Sequence, residues 1–252
     1  MTVGVFCLLI VVGFFGGVWN AMASGATLFT FPALIAVGLP PVMANATNFL
    51  ALLPSNAAAL PAYKKELKSV GRAIWPVLTI SSIGAVLGAL LLLNSGEVIF
   101  INLIPFLIFG ATLLFMFGNQ MRNLLISQFE ETGRIALFVS LSMLFIFSIY
   151  GGYFGAGAGI IILATMQIMG YSNYHVANSL KNLLATSLTI FSIIVFGLNG
   201  AIAWPEALVM MIGSTVGGYV GGLFGRKINE RYLKIVMVCF GFFLSGYYYL
   251  NS

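Results

Sequence analysis

Charge is the scarcest resource in this chain. Of 252 residues only 7% are charged, 11 Lys and Arg against 6 acidic residues, and all six acids are Glu. Soluble domains carry roughly 25% charged residues, so a water-facing surface of this size cannot be built from so few. The shortage excludes a disordered chain, a nucleic-acid-binding protein and a soluble enzyme core. Asp is absent and His175 is the sole His, which leaves no set of ligands for a catalytic or structural zinc. Cys7 and Cys239 lie in separate apolar runs, giving neither a disulfide framework nor a metal-ligand spacing. There is no ATP-binding glycine loop, so this chain alone does not drive primary transport. Serine chemistry lacks a Gly-x-Ser-x-Gly elbow and a base beside it. A retinal-type pigment would need a buried carboxylate as counter-ion, and none of the Glu residues lies in the middle of an apolar run. No cofactor and no enzymatic activity are expected.

What the chain has is hydrophobicity: 60% hydrophobic residues and a mean hydropathy of +1.06. Apolar runs fall at 3–19, 24–38, 42–62, 73–94, 98–118, 134–150, 155–170, 175–198, 203–223 and 232–250. A membrane-crossing helix needs about 20 such residues. Strand-type alternation is missing, so helices are the spanning structure. The expectation is an all-α polytopic membrane protein of ten helical segments, with the bilayer as its main partner. The second (24–38) and seventh (155–170) segments are short. Each follows a glycine-rich break, GFFGGVWNAMASG at 13–25 and YGGYFGAGAG at 150–159. Ala21-Met22-Ala23 looks like a signal-peptidase site, but no Lys or Arg occurs in the first 63 residues, where a signal peptide wants one. Segment one is therefore read as retained.

Comparison of the halves reveals an internal repeat. Gly71–Pro76 (GRAIWP) matches Gly200–Pro205 (GAIAWP) at an offset of 204 − 75 = 129, which also relates Gly84 to Gly213, Gly88 to Gly217 and Gly96 to Gly225. Upstream, Ala44-Asn45 matches Ala177-Asn178, and Gly16-Gly17 matches Gly151-Gly152. Each half, 1–120 and 134–252 of a single transmembrane domain, thus holds five segments. Five is odd, so the second half inserts upside down relative to the first if all five cross. Cytoplasmic loops collect Lys and Arg, which tests this. The loop between segments three and four carries Lys64, Lys65, Lys68 and Arg72, and its counterpart FGLNGAIAW carries none. The loop between four and five has none, whereas its counterpart carries Arg226, Lys227, Arg231 and Lys234. Opposite bias at equivalent loops is what inversion requires. With Arg122 and Arg134 also inside, both termini fall outside the cell membrane. Inverted repeats mark secondary transporters, with the substrate site near the midplane where the repeats meet.

At this point the residues resemble the sulfite exporter TauE/SafE family of membrane permeases. The resemblance rests on the breaks GGVWNAMASG and GGYFGAGAG, on ANATNFLALLPSNAAA (44–59) and ANSLKNLLATS (177–187), and on GAIAWP before segment nine. It covers nearly the whole chain and implies export of a small oxyanion or organosulfur anion, such as sulfite or a sulfonate, by a plasma-membrane protein. One departure is that the first break, NAMASG, is poorer in glycine, which puts backbone approach to an anion mainly in the second half.

The residues themselves point to candidate substrate contacts. Lys181 is the one basic residue well inside a predicted span, where charge is costly and usually functional. Asn178 and Asn182 flank it as an i,i+4 pair, continued by Thr186 and Thr189. Segment three offers Asn45 and Asn48, then Ser55 or Asn56. An ammonium flanked by amide donors suits an oxyanion; the alternative is that Lys181 snorkels to the interface and the asparagines tie helices together. The glycine breaks add a second ingredient, since a short helix starting at midplane presents free N–H groups and a positive dipole end. Gly155, Gly157 and Gly159 would allow close approach, with Ser24, Gly25 and Thr27 as the first-half equivalents. For Gly213, Gly217, Gly221 and Gly225, spaced by four, close helix packing is the better reading. Without a carboxylate in mid-span, outward movement driven by the membrane potential is the expected energetics. An anion channel, or a membrane subunit of a larger assembly, is the competing class.

Overall fold

The structure, a computed structural model, describes residues 2–23, 25–57, 60–128, 134–224 and 230–251. Ser24, Gly225, Arg226 and Lys227, all singled out above, lie outside these residues. Every regular element among the described residues is helical. The apolar runs form α1 (Val3–Ala23), α2 (Thr27–Ala36), α3 (Pro41–Ala57), α5 (Ile74–Gln128), α6 (Arg134–Tyr153), α7 (Ala158–Ile168), α8 (Tyr174–Leu198), α9 (Trp204–Phe224) and α10 (Glu230–Asn251). Three helical stretches among the described residues, Val3–Ala21, Lys64–Gly118 and His175–Leu198, are long and apolar enough to cross a bilayer. The chain is a polytopic membrane protein.

Two details depart from the sequence expectation. Segments four and five are two helices that meet within α5 at Gly96, whose φ 71° and ψ 171° are non-helical. A left-handed φ costs glycine nothing, so one residue replaces the expected loop. Asn94 Nδ2 and Ser95 Oγ donate back to the carbonyls of Leu90 and Leu92, both at 2.8 Å, and so cover acceptors that the break would orphan. Just past the break, Glu97 Oε2 accepts from the N–H of Val42 at 3.0 Å and caps the start of α3. The basic loop before α5 is also structured. It forms a short helix, α4 (Lys64–Val70), which touches α8 and whose Leu67 and Val70 pack against a buried cluster that includes Ala177, Leu180 and Leu184 of α8.

The internal repeat is visible atom by atom. α1 packs chiefly on α9, and α6 on α5, so the first helix of each half crosses the fourth of the other. Both crossings use glycine in the same way. A Cβ on Gly217 would lie 1.9 Å from Phe14 O, and one on Gly88 would lie 2.0 Å from Ile149 O. These pairs are related by 217 − 88 = 129 and 149 − 14 = 135, the two offsets read from the sequence. In the reverse direction Gly17 meets Ser214 O and Gly152 meets Ala85 O, each at 2.2 Å. Gly213 and Gly221 are closed by backbone atoms in the same manner, so these glycines serve close packing, as expected. Where the repeat lacks glycine it substitutes a polar contact. Gly13, against Met210, corresponds to Ser148, whose Oγ lies 3.2 Å from Ser81 Oγ.

The short helices repeat as well. α2 and α7 have 10 and 11 residues, about 15 Å, or half the hydrocarbon thickness. Each begins just after a positive-φ glycine, Gly25 at 117° and Gly157 at 77°, and ends at another, Gly38 at 98° and Gly170 at 96°. Their closing bonds also match: Leu39 N to Leu34 O and Gly38 N to Ile35 O, against Tyr171 N to Met166 O and Gly170 N to Gln167 O. This is the glycine-terminated cap in which a left-handed residue satisfies the last carbonyls. Trp75 and Trp204, at the starts of α5 and α9, are 66% and 51% exposed, as suits rings at a membrane interface.

Candidate functional site

A cavity of about 80 Å³ lies where the two halves meet, room for a few waters or a small polyatomic ion. It reaches α8 at Ala185, Leu188 and Thr189, midway between the ends of that helix. Phe49, Leu52, Phe154 and Ile162 supply its apolar wall. Its polar wall is built from Asn20, Thr27, Asn48, Asn56 and Thr189, together with the start of α7.

The start of α7 contributes main-chain groups to this wall. Gly155 and Gly157 both take positive φ, turning the chain out of α6 and into α7 within a few residues. Among the described residues, the N–H groups of Ala156, Gly157 and Gly159 have no acceptor, while Ala158 and Ile160 bond back to Gly155 and Gly157. Gly157 and Gly159 line the cavity, so unpaired donors at the positive end of a helix border it, an arrangement suited to anions. Two carbonyls of the turn are held by side chains. Tyr150 Oη donates to Ala156 O at 2.7 Å, and Asn45 Nδ2, from the other half, donates to Tyr153 O at 2.8 Å.

Across the cavity the side chains form two hydrogen-bonded groups. Asn48 Nδ2 donates to Thr27 Oγ1 at 3.2 Å, and Thr30 Oγ1 shares its one proton between Asn48 Oδ1 at 2.5 Å and Ala26 O at 3.0 Å, tying α3 to the start of α2. In the second group Asn20 Nδ2 donates to Ser55 Oγ at 2.9 Å and to Asn56 Oδ1 at 2.7 Å, and Asn56 Nδ2 donates to Thr189 Oγ1 at 3.3 Å. This chain of bonds links α1, α3 and α8.

Of the residues singled out from sequence, Gly25, Asn48, Gly157 and Gly159 come together on the cavity wall, as do Thr27, Asn56, Gly155 and Thr189, and Ser24 lies outside the described residues. Asn45 is wholly buried and serves the α6–α7 turn. Asn178 donates to Tyr63 Oη at 2.9 Å, beside α4 and away from the cavity. Asn182 is half-buried on α8, its carbonyl accepting from Thr186 Oγ1. Lys181 is half-buried and has no hydrogen-bond or ion-pair partner among the described residues. It stands four residues before Ala185 and eight before Thr189 on one face of α8, about 6 Å along the helix from the cavity wall. Asn20 escaped the sequence reading. Its one available signal was an amide inside an apolar run immediately after Gly16-Gly17. Among the described residues no group of three or more His, Cys, Asp or Glu could hold a metal ion.

An all-helical bundle with half-length helices meeting at a central polar cavity is the architecture of a membrane transporter. Residues 9–248 match the family described as sulfite exporter TauE/SafE. The chain is 31% identical over 240 residues to a "Probable membrane transporter protein" of Haemophilus influenzae, covering 95% of this chain and 92% of that one. It is 26% identical over 233 residues to "Probable membrane transporter protein ORF9" of a Sinorhizobium species, covering 91% and 87%. A third relative, "Probable membrane transporter protein YfcA" of Escherichia coli, is 26% identical over 237 residues, covering 92% and 84%. No solved structure gives a significant match. The chain belongs to the sulfite exporter TauE/SafE family and is a membrane transporter.

Proposed function

We propose that this protein exports a small oxyanion, sulfite or an organosulfonate, through the cavity between its two halves. The observation that carries the reading is the unpaired N–H set at the start of α7, bordering a polar cavity in the middle of the bundle. In this reading the anion is held by the N–H groups of Gly157 and Gly159 at the start of α7, with Asn48 of α3 and Gly25, just before α2, on the other half. Lys181, one turn above the cavity on the same face of α8, draws the anion toward the site by charge, with Asn178 and Asn182 beside it. The repeats 1–120 and 134–252 form one domain in the cell membrane, with the basic loops cytoplasmic and both termini outside. An anion leaving a cytoplasm at about −100 mV gains roughly 2.3 kcal/mol per charge, so export needs no proton relay.

The test is sulfite and sulfonate efflux from proteoliposomes under an imposed potential, with wild type and Lys181→Ala in parallel. Saturable efflux that accelerates as the interior is made negative, and a raised KM in Lys181→Ala, are the expected results. Efflux indifferent to potential overturns uncoupled anion export. Single-channel currents in place of slow saturable turnover would make the protein an anion pore.

A further inference from the structure

The hydrogen-bond polarity of the Asn20 group specifies more about the ligand than its charge. Ser55 Oγ donates its only proton to Leu52 O at 2.8 Å, and Thr189 Oγ1 donates its only proton to Ala185 O at 2.8 Å. Both hydroxyls must therefore accept from their other partners. An amide can be built in either orientation, and the network decides which is right. Here it allows one. Asn56 must present Nδ2 to Thr189, which turns its Oδ1 to Asn20. Asn20 must then present Nδ2 to both Asn56 Oδ1 and Ser55 Oγ. Both protons of the Asn20 amide are spent, and among the described residues its Oδ1 has no donor. Asn20 is half-buried and lines the cavity.

The cavity is thus bipolar. One wall carries N–H donors at the start of α7, and the other carries Asn20, whose Oδ1 is the amide atom left without a partner by a chain running through α1, α3 and α8. A fully deprotonated oxyanion would satisfy the first wall and turn an acceptor toward Asn20 Oδ1, leaving both unpaired and mutually repelled. A monoanion that carries its own donor satisfies both walls at once.

We infer that Asn20 is a specificity-determining residue, selecting anions that bear a hydrogen-bond donor: a protonated oxyanion, or a sulfonate with a hydroxyl or ammonium group. This rests on the anion reading of the cavity and narrows its substrate class. Asn20 selects by its carbonyl, and Ser55, Asn56 and Thr189 act as positioning residues that hold that carbonyl toward the ligand.

The experiment is equilibrium binding to the purified full-length protein in lipid nanodiscs, using two matched pairs of probes. Hydrogen sulfite and chlorate, compared in mildly acidic buffer, are pyramidal monoanions of which only the first carries a proton. The second pair, 2-hydroxyethanesulfonate and 1-propanesulfonate, exchanges a terminal hydroxyl for a methyl. The donor-bearing member is expected to bind at least about tenfold more tightly, and Asn20→Leu to bring the ratio within each pair close to one. Equal binding of both members in wild type, judged in whichever pair binds more tightly, overturns the inference and leaves the anion site standing. A preference that survives in Asn20→Leu assigns selection to another group and also overturns it. Binding of none of the four probes overturns the anion site itself. Should Asn20→Leu fail to fold, the wild-type ratios decide.

Discussion

α2 and α7 are the same element made twice, and they are held in place by different chemistry. Both begin after a left-handed glycine and end in the same cap. α2 is locked by side chains: Asn48 reaches Thr27 and Thr30 on its first turn. The corresponding positions in α7, at the offset of 170 − 38 = 132 set by the caps, are Gly159 and Ile162, which offer no hydroxyl. α7 is instead steadied from outside, by Tyr150 on its own half and Asn45 from the other, and its first N–H groups stay unspent. Among the described residues the N–H of Thr27 has no acceptor either, so the two copies differ in the side chains at their starts and not in their main-chain donors. A duplicated fold can thus divide side-chain support between its copies without changing its architecture.

Three substitutions probe that division. The largest effect is expected from Asn48→Leu, which strips one bond from the buried Thr30 hydroxyl and one from the half-buried Thr27 hydroxyl and should cost about 2–4 kcal/mol. Asn182→Leu, whose recorded bond uses only the main chain, should stay within about 1 kcal/mol. Thermal unfolding followed by tryptophan fluorescence in detergent measures both, and equal losses would mean that α2 is not locked as described. Next comes Gly157→Ala, where φ is 77°. An L-residue there costs about 1–2 kcal/mol, and the shifted α7 start should lower anion efflux far more than Gly38→Ala, a similar strain at the distant end of α2. Matched efflux from the two variants would remove the α7 start from the site. The smallest effect is expected from Tyr150→Phe, which deletes the bond to Ala156 O and should cost about 1 kcal/mol. Its efflux should show a raised KM with turnover unchanged; unaltered kinetics would assign Tyr150 to stability alone.

Much of the architecture was legible because membrane insertion is strict about sequence. Apolar length marked the helices, and the short second and seventh segments became α2 and α7. Gly88 and Gly217 could be paired in advance because only glycine lets two backbones approach to 2 Å from a would-be Cβ. The break at Gly96 was less legible, since LNSGEVIF reads as a loop and the helical continuation depends on bonds from Asn94 and Ser95. The basic segment around α4 gave only a charge signal, although Leu67 and Val70 dock it on α8.

Within the candidate site the polar asparagines drew attention because an amide in a span must find a partner, but which partner was beyond reach. Asn48 and Asn45 look alike in sequence. One binds α2 at the cavity wall and the other reaches 108 positions along the chain to Tyr153. Asn20 was invisible for the same reason, its bonds running to Ser55 and Asn56 and on to Thr189. The sequence by itself determined a helical membrane protein, its duplication and its family, because hydrophobic length, loop charge and glycine spacing act locally and leave a one-dimensional record. Tertiary structure alone decided that Lys181 stands off the cavity wall and that Asn20 on that wall is joined to Ser55 and Asn56. Those outcomes depend on the direction of hydrogen bonds between distant helices, and no local pattern encodes direction.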